Sequence, residues 1–360
     1  MSALADPARR AARRAALAVG ARWPAYSRLL LVGEGAGWVI DEEMRAVAGV
    51  AERLGIRVAK RWPPSAAKRQ SVFYGSHFTF FDRPPPPDAG HRLATTYFHG
   101  LPGTRGAPEF DSAFEALRRR HHEVDRVQVS HRELEQLVLS SGIDPAKVFR
   151  IPIGIEPRFF GPRSVAAREA LGLPAGAFVV GSFQKDGVGW DEGLEPKWIK
   201  GPDVLVGVLT RLRERVPDLH VLLSGPARGY VRARLGELGI PYVHRFVEHY
   251  ADVGKLYAAL DAYVVTSRQE GGPKGVLEAM AAGVPLVSTR VGQAVDLVVD
   301  GENGWLVEVE DVDALVGRLE AIAAGAADRV VAAGIETAQA NSYEAQAPLW
   351  RAFFDGFVRS

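Results

Sequence analysis

The chain has 360 residues, 47% hydrophobic and 24% charged, with a formal net charge of +1. That length exceeds what one hydrophobic core usually serves, so two domains are expected, and the near-neutral balance excludes a global field for nucleic acid. Cysteine is absent, which excludes disulfides, thiolate catalysis and cysteine metal sites.

Taken in chain order, Ala5–Ala21 reads as an amphipathic helix with Arg9, Arg10, Arg13 and Arg14 on its polar side. A solvated face packed on the first domain is favoured for it, and contact with a membrane surface is the alternative. These arginines precede no apolar core, so no signal peptide is expected, and no apolar run reaches the length of a membrane span. The expected location is the cytoplasm, with peripheral association at the inner face of the membrane left open. "RLLLVG" (Arg28–Gly33) predicts a buried strand, and Asp41–Gly55 a helix with Asp41 as N-cap and Gly55 as stop. Ser71–Gly75, Leu93–Gly100, Val124–Ser130 and Lys147–Ile153 read as further strands, with helices near Glu109–His121 and Arg132–Ser141. "PPPP" (Pro84–Pro87) marks a stiff extended loop.

The alternation pauses at Gly154–Ser164 and restarts with strands at Phe178–Phe183, Leu219–Gly225, Asp261–Ser267, Pro285–Thr289 and Gly304–Glu308. Strand and helix in alternation imply parallel sheets wrapped by helices. We expect two Rossmann-like α/β domains facing a cleft, where ligands of such proteins usually sit. The expected boundaries are 1–155, 156–340 and a C-terminal segment 341–360 that returns to the first domain. In that last segment Tyr343, Trp350, Phe353, Phe354 and Phe357 form a packing stripe.

The chemistry concentrates in "RQEGGPKGVLEAMAAGVP" (Arg268–Pro285). Glu270 follows a strand, Glu278 lies about one turn inside the next helix, and Gly283 stops that helix. A helix N-terminus with unpaired N–H groups suits a diphosphate, and Gly271, Gly272 and Gly275 would let the backbone approach it. Two carboxylates beside an anion must then face hydroxyls, as ribose and sugar would supply. The layout matches a nucleotide-diphosphate sugar.

The stretch "TSRQEGGPKGVLEAMAAGVPLVSTRVGQAVDLVVDGENGWLVE" resembles the E-x7-E region of glycosyltransferase family 4, retaining enzymes of GT-B fold. "VSHRELEQLVLSSGIDPAKVFRIPIGIEPRFF" (Val129–Phe160) and "IKGPDVLVGVLTRLRERVPDLHVLLSGP" (Ile199–Pro226) extend the resemblance over most of Val129–Glu308. It implies that Glu278 holds the donor ribose and Glu270 the donor sugar, with the backbone of Gly271, Gly272, Pro273, Lys274, Gly275 and Val276 around the sugar and diphosphate, Pro273 without an N–H to donate. Lys200 in "IKGPD" matches the lysine that binds the diphosphate. A second cation usually stands just after the strand glycine; here that place reads "GSFQ", with Ser182 after Gly181, and a longer segment Lys185–Trp198 follows. Lys185 is the first substitute, ahead of Gln184 and Arg268. His99 in "TTYFHG" matches the first-domain histidine that faces the donor sugar, a satisfied core histidine being the alternative. Gly35, in the turn Val32–Trp38, would face the diphosphate and acceptor; an ordinary structural turn is the comparable reading. Trp38 stands where a dinucleotide fingerprint needs glycine, so NAD binding is not expected. Val247 is the expected base contact. "DVD" (Asp311–Asp313) opens a helix and reads as a cap.

The expected activity is retaining transfer of a sugar from a nucleotide-diphosphate donor to a hydroxyl of a carbohydrate, lipid-linked or small-molecule acceptor, with no nucleic-acid partner. No metal or other cofactor is expected to be required. The alternatives are an epimerase that shares the architecture and a non-catalytic nucleotide-sugar binder.

Overall fold

The computed structural model describes residues 24–35, 39–59, 68–85 and 87–359. The Ala5–Ala21 helix lies outside these residues, as do Gly37 and Trp38 of the first glycine turn. Two compact units emerge. One holds the chain up to Gly103, Ala107–Ile151 and Gln346 onward; the other holds Thr104–Gly106 and Pro152–Ala345.

The first unit is built on β1 (Leu29–Val32), β2 (Val58–Ala59), β3 (Ser71–Tyr74), β4 (Arg92–Tyr97), β5 (Arg126–Val129) and β6 (Val148–Arg150). Their order is β2-β1-β3-β4-β5-β6, and every neighbouring pair is parallel. The strands are short, buried runs such as "SVFY", as parallel sheets covered on both faces require. The order reverses between β1 and β3, so the turns after these strands lie at the switch point of the sheet.

The helix after β1 runs from Val39 to Arg53. Asp41 is therefore not its N-cap but sits in its first turn, where its carboxylate accepts the Gly35 N–H at 3.0 Å. Gly55 does end this helix. It takes a left-handed φ of 82°, its N–H donates to Glu52 O, and the Ile56 N–H donates to Ala51 O.

The C-terminal helix Ala347–Phe354 is part of this unit. Trp350 and Phe353 are fully buried against Phe73, with ring centroids 6.0 and 5.0 Å away. The Phe357 carbonyl accepts from Ser71 Oγ at 2.5 Å and from Arg92 Nη1 at 3.0 Å. Tyr343 departs from the expected stripe. It precedes the helix and belongs to the second unit, where it is buried beside Lys274.

The second unit carries β7 (Phe178–Phe183), β8 (Leu219–Ser224), β9 (Tyr242–His244), β10 (Ala262–Val265), β11 (Leu286–Thr289) and β12 (Trp305–Val307). They form a parallel sheet in the order β12-β11-β10-β7-β8-β9. The order reverses between β7 and β10, so the loops leaving these two strands meet at its switch point, where open α/β sheets bind ligands. No helix among the described residues is long and apolar enough to cross a membrane.

Candidate active site

The loop leaving β10 carries Ser267, Arg268, Glu270 and Gly271 into the helix Lys274–Ala281. That helix begins at Pro273, which makes no side-chain cap. Its far end is closed by Gly283 at φ 66°, whose N–H donates to Met280 O, while Val284 N donates to Ala279 O. The helix thus has a fixed C-terminus and first-turn N–H groups without a capping side chain.

Two of the expected site residues meet directly. Lys200 Nζ lies 2.6 Å from both carboxylate oxygens of Glu270, a bidentate ion pair. Ser267 Oγ adds a hydrogen bond to Glu270 Oε1 at 2.8 Å. The chain around Lys200 is stitched to this loop: the N–H groups of Arg268 and Gln269 both donate to Ile199 O. Gly201 completes the attachment. Its φ is 59°, and a Cβ there would stand 2.1 Å from Thr266 O, so only glycine allows this close approach.

Glu278 is buried on the same helix, and its Oε2 accepts from Tyr257 Oη at 2.9 Å. Burial pushes its carboxyl pKa above the ordinary range; the Lys274 charge and hydrogen bonds from Tyr250 and Tyr257 pull it back. Tyr257 and Tyr263 are raised by burial and by the Glu278 charge, Tyr263 to about 12. Lys274 is turned inward: its ammonium lies 4.4 Å from the Tyr250 ring centroid and 3.4 Å from Tyr343 Oη. Its side chain therefore serves Glu278 from within the unit.

The glycines of the motif are held by close packing. None of Gly271, Gly272 and Gly275 has a positive φ. What requires glycine is close packing: a Cβ on Gly272 would stand 2.3 Å from Ile153 Cδ1, and one on Gly275 2.5 Å from Tyr263 Oη. Gly271 O accepts the Gln293 N–H at 3.0 Å. Val276 is fully buried in the core, with only its backbone in the first turn of the helix.

Of the three substitutes for the second cation, two are engaged. Arg268 donates to Asp203 through Nη1 and Nη2 at 2.8 and 2.6 Å and pairs with Glu310, which raises its pKa further. Gln184 donates to Lys200 O at 3.1 Å and accepts from Ser267 Oγ at 3.3 Å. Lys185 has no carboxylate partner among the described residues. Burial and the charge of Lys200 lower its pKa.

Val247 lies in the loop after β9, half-buried and packed on the same core cluster as Tyr250 and Val253. In the first unit, His99 follows β4, half-buried, with its ring 4.4 Å from Phe98 and 4.8 Å from Phe110. Gly35 follows β1 with φ 74°, its N–H taken by Asp41. Asp311 is a cap: its Oδ1 accepts the Ala314 N–H at 2.9 Å. No group of three or more His, Asp or Glu among the described residues could hold a metal ion. Sequence reasoning did not single out Tyr257 and Ser267, the hydrogen-bond partners of Glu278 and Glu270.

Residues 192–324 match the family model described as "Glycosyl transferases group 1". A glycosyltransferase family is thereby supported. The D-inositol 3-phosphate glycosyltransferase of Stackebrandtia nassauensis is 33% identical over 193 residues, covering 50% of this chain and 41% of the relative. The lipopolysaccharide core biosynthesis mannosyltransferase LpsB of Rhizobium meliloti is 31% identical over 174 residues, covering 45% and 47%. The chain thus spans about half or less of the length of these curated relatives. The crystal structure of Anabaena HepE in complex with UDP-glucose aligns over 91% of this chain and 99% of its own, with a TM-score of 0.69 and 17% identity. That likeness establishes a GT-B fold of two parallel-sheet α/β domains.

Proposed function

We propose that this chain is a retaining glycosyltransferase of family 4 that moves a sugar from a nucleotide-diphosphate donor to an acceptor hydroxyl. The observation that carries this reading is the arrangement after β10. Glu270 with its Lys200 partner and the buried Glu278 flank an uncapped helix N-terminus at the switch point of the second sheet. Glu278 accepts ribose hydroxyls, Glu270 accepts sugar hydroxyls, and first-turn amides take the diphosphate.

As the bond from the anomeric carbon to the diphosphate oxygen breaks, negative charge grows on the leaving group. Lys200, shared between Glu270 and that oxygen, stabilises it, with Lys185 as the second cation. The acceptor oxygen attacks from the face the diphosphate leaves, and its proton passes to the departing phosphate oxygen. No protein nucleophile and no metal is then required. For His99 and the Gly35 loop we propose the donor-sugar and diphosphate roles the resemblance implies, and for Val247 a base contact. The acceptor is a carbohydrate, a lipid-linked glycan or a small molecule, and the reaction is placed in the cytoplasm or at the inner membrane face.

The test is a thermal-shift screen of UDP-, GDP-, ADP- and TDP-sugars, with UDP first because HepE was crystallised with UDP-glucose. The stabilising donor should lose its effect on Glu278→Ala. Near-normal affinity in that variant would sink the assignment. NMR of the transfer product should show the donor's anomeric configuration; an inverted product, or epimerised sugar without acceptor, would refute retention or transfer.

A further inference from the structure

The segment Lys185–Trp198 that follows β7 is a closed loop. Gly187 and Pro196 form an antiparallel bridge, Val188 N donates to Glu195 O at 2.9 Å, and Lys197 N donates to Asp186 O at 2.7 Å. Its tip is bound to the chain leaving β8: Gly229 N donates to Glu192 O at 2.7 Å and Tyr230 N to Gly193 O at 2.9 Å. The two layers touch so closely that a Cβ on Gly187 or Gly193 would stand 2.4 or 2.3 Å from Ala227 O.

Beneath this loop lies Arg228, 1% exposed. Its Nη1 donates to the carbonyls of Ser182, Gln184 and Ser224 at 2.7, 2.9 and 3.0 Å. Its Nη2 lies 3.1 Å from the carboxylate of Asp186, itself 0% exposed. One guanidinium therefore grips alternate residues of the chain as it leaves β7. The three carbonyls gather at Nη1 and the carboxylate at Nη2, while Nε has no hydrogen-bond partner among the described residues; an ammonium, with one nitrogen, cannot span the two ends.

Lys185 stands between two gripped residues. Side chains alternate along extended backbone, so drawing Asp186 inward leaves Lys185 turned the other way. There its ammonium lies 4.4 Å from the ring centroid of Trp190, which is 60% exposed on the same loop. The residue before Lys185, Gln184, donates to Lys200 O at 3.1 Å, which ties this stretch to the Lys200 segment; burial first, and then the Lys200 charge, lower the Lys185 pKa.

We infer that Arg228 is a positioning residue for donor binding. Through Asp186 it locks the inserted loop so that Lys185 stands as the partner of Lys200 toward the donor diphosphate. The inference rests on the nucleotide-sugar reading of the site. Arg228 is too buried to touch a phosphate, so any effect on the diphosphate passes through the loop.

The experiment compares affinity for UDP with affinity for uridine by calorimetry in four proteins: wild type, Lys185→Met, Arg228→Lys and the double variant. If another base wins the donor screen, its diphosphate and nucleoside replace this pair. Lys185→Met should weaken diphosphate binding about tenfold or more, the size of one hydrogen bond to a charged group, and leave nucleoside affinity within about twofold. Arg228→Lys should show the same selective loss, and the double variant no further loss. Asp186→Asn, which keeps the volume and removes the charge, stands in if Arg228→Lys does not fold. Wild-type diphosphate affinity in Arg228→Lys, equal losses for nucleoside and diphosphate, or losses that add in the double variant would overturn the inference alone. Failure of wild type to bind any nucleoside diphosphate would overturn the proposed function with it.

Discussion

Replacing Lys274 with methionine isolates what keeps Glu278 able to accept hydroxyls. The groups facing Glu278 are Lys274, Tyr250 and Tyr257, with Tyr263 coupled to it from β10. Among them only Lys274 carries a positive charge. Methionine nearly conserves the volume packed on Tyr250 and Tyr343, so the packing cost should stay below about 1.5 kcal/mol. Leaving a buried carboxylate without its counter-charge costs about 3–5 kcal/mol while it remains ionised. The carboxyl can take up a proton instead, at about 1.36 kcal/mol for each pH unit between its pKa and the buffer. The folded-state pKa of Glu278 is already above the unfolded value, and the variant raises it further. Stability is therefore fully present below the unfolded pKa and is lost as pH rises through the folded one, at higher pH in the variant.

Donor binding runs the other way. It needs the ionised carboxylate, so it is present above the folded pKa and lost as pH falls through it. With about 1.5–3 kcal/mol riding on each hydrogen bond to a charged group, Lys274→Met should bind donor roughly 10–100-fold more weakly than wild type where its carboxyl is protonated, and the deficit should shrink as pH rises. Calorimetric titration with the donor found by thermal shift, run from pH 6 to 9, reads both effects. A variant whose binding profile overlays that of wild type would refute the claim that Lys274 sets the charge of Glu278.

Gly275→Ala should lower Tm by roughly 3–10 °C, because overpacking against Tyr263 Oη costs about 1–3 kcal/mol. Gly317→Ala, at an exposed position of the helix Val312–Ala323 with open space at its Cβ, should instead raise stability by up to about 1 kcal/mol; equal effects of the two would contradict the packing argument. Asp311→Ala should cost about 1 kcal/mol as a lost cap and leave donor affinity unchanged, which urea unfolding and calorimetry would measure together. Turnover should survive prolonged EDTA treatment; a loss restored by magnesium or manganese would contradict the metal-free scheme.

Most strands of the two sheets were readable because strands buried on both faces leave continuous apolar runs such as "FVVGSF" and "LHVLLSG"; the edge strand β9, three half-buried residues, leaves no such run and was not read. The placement of Glu270 in a loop and of Glu278 inside the next helix was readable for a related reason. They lie within one strand–loop–helix unit, so spacing along the chain approximates spacing in the fold. Asp41 shows where local rules stop working. An acidic residue near a helix start satisfies the capping pattern whether it lies at the N-cap or inside the first turn. Only the structure shows its carboxylate holding the Gly35 N–H. The glycines of the motif were read for approach to a ligand; the structure adds an interior requirement, a side chain of the adjoining strand at Tyr263 for Gly275 and the sequence-distant Ile153 for Gly272.

Arg228 illustrates the harder limit. It acts on Ser182 across 46 positions and on Gln184 across 44, and in its own turn between β8 and the helix Gly229–Glu237 it is one arginine among many in an arginine-rich chain. Burying a guanidinium is costly unless its donors find acceptors; here three acceptors are backbone carbonyls, which carry no sequence signal, and Nε has no hydrogen-bond partner among the described residues. The resemblance did record the consequence: a serine after Gly181 and a lengthened loop behind it. Seen from the structure, these two departures are coupled. A small side chain at Ser182 leaves room for the Arg228 guanidinium, with Ser182 Oγ 3.4 Å from Nη2. That guanidinium in turn holds the loop that carries Lys185. The absence of a cation at one position and the presence of a loop bearing one are then a single structural solution, which is why Arg228 and Lys185 should behave as one unit in the double variant.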